Sequence, residues 1–183
     1  MRLLPLLLLA TLAGCAAQSE ELLPIPASVR GASRVDAVEV KIRATAAAAV
    51  AALDQKAATS GASTDAPAAG QPFRQLLADS VDKAARDRGL RSGRALKLIV
   101  EVDEIEVAET AAALFGRSDR LAGSVFVADA ATGEPLGQLY VDVVNTNAGL
   151  SGLALRGGGV REALAREFAA HVARALGGRR RKP

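Results

Sequence analysis

The sequence predicts an α+β fold: a two-layer sandwich with two helices on one face of a mostly antiparallel four-stranded sheet, in the order β-α-β-β-β-α. Three observations lead there. Residues 72–89 and 160–176 carry apolar side chains at helical spacing. Residues 38–42, 96–102, 122–128 and 136–145 read as strands, the clearest of them alternating apolar and polar side chains. Residues 129–135 are rich in turn formers and join the last two strands as a hairpin. A sheet with one apolar face is completed by amphipathic helices laid on that face.

The elements follow in order. Val38, Val40 and Ile42 alternate with Glu39, Lys41 and Arg43, giving the first strand. Residues 44–70 are Ala-rich and then rich in Ser, Thr, Gly and Pro, so they read as an insertion, part helical and poorly ordered. Phe73, Leu76, Leu77, Ser80, Val81, Ala84 and Ala85 make one stripe, with Pro72 suited to the helix start and Gly89 to its stop. Leu96, Leu98, Val100 and Val102 alternate with Lys97, Glu101 and Asp103, after which Ile105 and Val107 fall out of phase. A one-residue slip would turn them to solvent, so a β-bulge is predicted near Asp103 and Glu104. In the hairpin, Gly133 supplies the positive φ, and Leu139, Val141 and Val143 face the core. Val160, Leu164, Phe168, Val172 and Leu176 line the last helix, which Gly177 and Gly178 end.

Composition narrows the function. Of 183 residues half are hydrophobic, enough for a core, and 23% are charged, which excludes a disordered polyelectrolyte. Aromatics are 3% with no Trp, against a stacking platform for nucleic acid. One Cys and one His exclude a Cys/His zinc site and a disulfide within the chain. Removing Arg2 and the four cations of the Arg179-Arg180-Arg181-Lys182 tail takes the net charge from +3 to −2, so the basic balance is partly a property of the tail.

The amino terminus carries an address. Arg2 is followed by an apolar run too short to span a bilayer core of about 30 Å. It ends in Leu12-Ala13-Gly14-Cys15, which resembles the lipobox of bacterial lipoproteins. The resemblance implies a diacylglyceryl group on Cys15, cleavage before it, and acylation of the new amino group. Several acyl chains, at about 0.8 kcal/mol per buried methylene, hold far more firmly than one. Ala16 stands where Asp would imply retention in the inner membrane, so the resemblance implies the periplasmic face of the outer membrane. The predicted organisation is a signal peptide over 1–14, a lipidated tether over 15–34, one domain over 35–177 and a basic tail over 178–183.

The element order is similar to small domains of periplasmic lipoproteins, among them the TolB amino-terminal domain. The run Leu114-Phe115-Gly116-Arg117-Ser118-Asp119-Arg120-Leu121-Ala122-Gly123, the turn Asp129-Ala130-Ala131-Thr132-Gly133 and the Gly-rich loop before the last helix resemble a set of uncharacterised proteobacterial lipoproteins. That likeness implies an envelope location and no particular activity.

Catalytic constellations are sparse. His171 sits at the edge of a helical stripe, and Ser118 with Asp119, or Ser151, are the hydroxyls a hydrolase would use, without any spacing that supports them. Glu101, Asp103, Glu104, Glu106 and Glu109 read as a solvated strand face rather than a metal site, and Gly157-Gly158-Gly159 lacks a nucleotide fingerprint. No catalytic residue, metal or cofactor is predicted. The residues singled out for partner contact are Leu114, Phe115, Arg117 and Arg120 around one loop, with Arg179, Arg180, Arg181 and Lys182 in the tail. The leading expectation is a lipid-anchored, non-catalytic accessory or assembly protein of the envelope, binding a protein or glycolipid and no nucleic acid. A carrier of a small apolar or lipid ligand and a serine hydrolase are the alternatives.

Overall fold

The computed structural model describes residues 16–60, 70–109, 117–145 and 159–177. The predicted signal peptide, Cys15, Leu114, Phe115, Ser151 and the Arg179–Lys182 run lie outside them. The architecture is α+β, with a five-stranded mixed sheet and three helices where four strands and two helices were predicted. In chain order the elements are β1 (Ala16–Leu23), β2 (Ser33–Ile42), α1 (Ala44–Ser60), α2 (Phe73–Asp87), β3 (Arg94–Glu106), β4 (Asp119–Asp129), β5 (Pro135–Asn145) and α3 (Val160–Ala175). The strand order is β1-β5-β4-β3-β2.

The largest correction concerns residues 15–34, predicted as a tether. Residues 16–23 form an edge strand, antiparallel to β5 with Ala16 opposite Val144. The chain then crosses beneath the sheet to the opposite edge, where β2 begins. This crossing strap is packed, not loose. Ile25 and Val29 are buried, Gly31 N–H donates to Leu176 O at 2.9 Å, and Ser33 Oγ donates to Val29 O at 2.7 Å. Arg30 staples it: Nη1 donates to Ala175 O at 3.1 Å and Nη2 to Glu21 Oε2 at 2.6 Å. Gly137 leaves the room, since a Cβ there would stand 2.6 Å from Ile25 Cγ1.

The second correction is strand direction. β2 pairs parallel with β3, while the other three pairs are antiparallel. A strand–helix–strand connection returns the chain to the end it started from, so the pair it links is parallel. The third is α1. Residues 44–60 of the predicted insertion are helical, with Ala46 and Val50 buried; residues 61–69 lie outside the described set.

The remaining elements match the periodicity. The predicted bulge is present: the β3–β4 register shifts between Val102 and Glu104, and Ile105 returns to the core at 4% exposure. Gly123 opposite makes it possible, because a Cβ there would lie 2.5 Å from Glu101 O. In the β4–β5 hairpin Gly133 has φ 75°. Asp129 Oδ1 accepts from the N–H groups of Ala131 and Thr132, both at 2.9 Å, tying the turn. Phe73, Leu77 and Val81 of α2 and Leu164, Phe168 and Val172 of α3 are fully buried against Leu96, Leu98, Val100, Leu139 and Val141.

α1 joins the helices at one end. Asp54 Oδ1 accepts the first N–H of α2, from Phe73, at 2.7 Å. Arg161 Nη1 lies 3.5 Å from the same carboxylate and donates to Gln71 O at 2.8 Å. One carboxylate therefore caps α2 and pairs with the first turn of α3.

Truncating Phe168 to Ala should cost about 3–5 kcal/mol in urea unfolding, because it empties the centre of the core. Truncating Phe126, on the opposite sheet face, should cost only about 1–2 kcal/mol. Equal losses would contradict this assignment of faces.

Candidate functional site

α2 and α3 lie on one face of the sheet and α1 closes that layer at one end; among the described residues nothing covers the other face. That face is built by the alternate residues of each strand. Register places Glu39, Ile99, Phe126 and Gln138 side by side across β2, β3, β4 and β5. The next row holds Lys41, Glu101, Ser124, Tyr140 and Glu20, and beyond it Glu104, Ala122, Asp142 and Gln18. The centre is thus Ile99, Phe126 and Tyr140, each half-buried by its neighbours alone. Ion pairs surround it.

Arg120 is the hub of these pairs. Its guanidinium reaches Asp142 at 2.8 Å and Glu104 at 2.8 Å, clamping β3, β4 and β5 together. The Asp142 hydrogen bond is the main reason its pKa is raised. Arg43 bridges Glu101 and Asp103 at 2.7 and 2.9 Å, and Lys97 pairs with Glu39 at 2.8 Å, lowering the Glu39 pKa. Burial first, and then the Asp142 charge, raises the Tyr140 pKa. Arg43, Ala44, Thr45, Asp103 and Glu104 line an open groove of about 630 Å³ at the corner where the bulge meets α1. Such a surface can hold a partner by apolar contact at the centre and exchange of ion pairs at the rim.

The acidic residues from Glu101 to Glu106 take the solvent-facing positions the alternation predicts. Arg117 and Arg120 stand together at the start of β4, but both are engaged by strand carboxylates, Arg117 by Glu106 at 3.0 Å. Of the hydrolase candidates, Ser118 is not brought to His171, and Ser151 lies outside the described residues. Ser118 precedes β4 at the end where β1 begins. His171 is buried near the far end of α3, with its ring 3.4 Å from Glu167 Oε1 and 3.3 Å from Arg174 Nη1. Burial, then the Arg174 charge, lowers its pKa. Sequence reasoning passed over Phe126, Tyr140 and Ile99 as a cluster. The alternation gave their face, but only the register of two strand pairs makes them neighbours. It also passed over Arg161, 6% exposed, whose place on α3 looks like an ordinary polar position.

No family model and no curated protein sequence matches the chain. Solved structures share its fold. A PelC dodecamer from Paraburkholderia phytofirmans matches with a TM-score of 0.51 at 12% identity, covering 90% of this chain and 99% of that one. A Xanthomonas campestris protein of the DUF330 family model matches with a TM-score of 0.50 at 14% identity, covering 85% and 87%. A minor lipoprotein from Acinetobacter baumannii aligns at a TM-score of 0.37 and 11% identity, over 80% and 96%. For the first two, at these identities, the likeness is one of fold.

His171 and Asp129 both contribute to the response to acid. Folding favours neutral His171, so between its ordinary value of 6.5 and its lowered folded value the unfolded chain binds more protons. Stability is present above that window and lost as pH falls through it. Asp129 is held to about 2, first by the Arg94 hydrogen bond and then by the N–H groups of Thr132 and Ala131; its contribution is present above 3.8 and lost as pH falls through about 2. Urea unfolding should weaken from about pH 7 to 5 in the wild type and much less in His171→Gln. A slope unchanged by the substitution contradicts this assignment. Asp129→Asn should lower Tm at neutral pH and flatten the acid limb between about pH 4 and 2.

Proposed function

We propose that this chain is a lipid-anchored protein of the bacterial cell envelope that acts by binding rather than by catalysis. Acyl chains on Cys15 hold it at the periplasmic face of the outer membrane, where it serves as an accessory or assembly factor. The observation that carries the binding role is the helix-free sheet face centred on Ile99, Phe126 and Tyr140. Supporting it, the lone histidine is buried between Glu167 and Arg174, away from Ser118. The lipobox supports the anchor.

The partner is an envelope protein or a glycolipid. The similar PelC structure is that of a dodecamer, and β1 and β2 both leave a sheet edge unpaired among the described residues, so a second copy of this chain is the first candidate. Leu114, Phe115, Arg117 and Arg120, with the Arg179–Lys182 run, are the further contacts proposed. A carrier role would need a ligand between sheet and helices, where Phe73, Leu77 and Phe168 are packed against the strands. Native mass spectrometry of protein extracted from its own membranes would report a retained lipid if that reading held.

Labelled palmitate should enter the wild type, and Cys15→Ser should abolish the label and shift the protein from membrane to soluble fractions. A photo-crosslinker at position 126 should capture a defined partner in intact cells, while one at the exposed Arg91 should not. Absence of label removes the anchor, and identical capture from both positions removes the surface.

A further inference from the structure

The first strand begins one residue after the cysteine that carries the proposed anchor. Ala16 is already paired with Val144. One residue spans about 3.5 Å, so no tether separates lipid from fold. Whatever end of the sandwich holds Ala16 is held at the bilayer.

That end is well defined. The Ala16–Val144 pairing continues through Arg120 to Glu106, so the starts of β1 and β4 and the ends of β3 and β5 lie there. β2 runs parallel to β3 and also finishes there, delivering the chain into α1. Asp54 ties α1 to the first turns of α2 and α3, which therefore start at the same end. α1, about 25 Å long, closes this end of the sandwich. Its inner side is Ala46 and Val50; Ala47, Ala48, Ala51 and Ala52 are exposed. Exposed Lys56 and Arg74 have no carboxylate partner among the described residues and suit anionic headgroups; of the exposed carboxylates at this end, Glu104 and Glu106 are paired with Arg120 and Arg117, and Glu109 stands beyond them.

The opposite end is equally defined. It holds the Gly133 turn, the crossing strap and Gly177, where Gly31 meets the end of α3.

We infer that the domain stands end-on and directly on the lipid surface, with α1 against the headgroups and the uncovered sheet face upright and open to a partner. This rests on the acylation of Cys15 proposed above. The small outward side chains of α1 are what this contact tolerates: they let the helix lie close without inserting bulk.

The test uses the acylated full chain, in which Cys15 is blocked and an introduced cysteine is the only free thiol. Ala48→Cys and Ala131→Cys proteins carry an environment-sensitive fluorophore in vesicles of phosphatidylethanolamine and phosphatidylglycerol with a spin-labelled headgroup lipid. The Ala48 probe should be quenched at least about threefold more than the Ala131 probe. A flexible Gly/Ser insert of about 20 residues between Cys15 and Ala16, with a mean span of about 25 Å, should remove the difference. Equal quenching without the insert, or a difference that survives it, overturns the end-on contact and leaves the anchor standing. Absence of acyl mass on the Cys15 peptide overturns both.

Discussion

A single peptide bond separates the proposed lipid attachment from hydrogen-bonded structure, and the rest of the molecule is arranged around that short connection. Because β1 is paired from Ala16 onward, an acyl group on Cys15 would sit at the sheet's edge rather than at the end of a leash. The chain then crosses to the other edge, where β2 closes the sheet. The crossing is possible because Gly137 leaves space for Ile25 and because Arg30 and Gly31 satisfy the carbonyls at the end of α3. The proposed attachment point, sheet completion and closure of the helix layer thus share one continuous piece of backbone.

The two faces of the sheet divide the labour. One is sealed by α2 and α3 through fully buried Phe73, Leu77, Leu164 and Phe168. The other keeps Ile99, Phe126 and Tyr140 within a ring of ion pairs. Exposed ion pairs contribute little to stability individually. Here they shape the surface, holding Arg120 and Arg43 in place while leaving carboxylates in excess. A partner that meets this face exchanges those pairs at modest expense and gains the apolar centre.

Much of the fold was legible in the sequence, and the reasons differ by element. The alternation of Leu96 to Val102 and its slip at Ile105 identified β3 and its bulge, because one face is buried and register is strongly specified. The stripes of α2 and α3 were legible for the same reason. β1 was not: Gln18 to Leu23 is exposed throughout, so nothing selects an apolar alternation, and Pro24 and Pro26 suggested a linker. α1 carried propensity but little buried area, so its alanines read as an insertion. The parallel β2–β3 pair follows from the helices between them rather than from either strand. Of the candidate site, the acidic strand face was legible and the Ile99–Phe126–Tyr140 cluster was not, because cross-strand neighbours are set by register.

The most direct measurement is hydrogen exchange, read by mass spectrometry, on the acylated protein in its membrane. The account predicts that the backbone amides of residues 17–23 that face β5 are protected to a degree comparable with β5 itself. Exchange of that stretch at the rate of an unstructured chain, with β5 still protected, would contradict it.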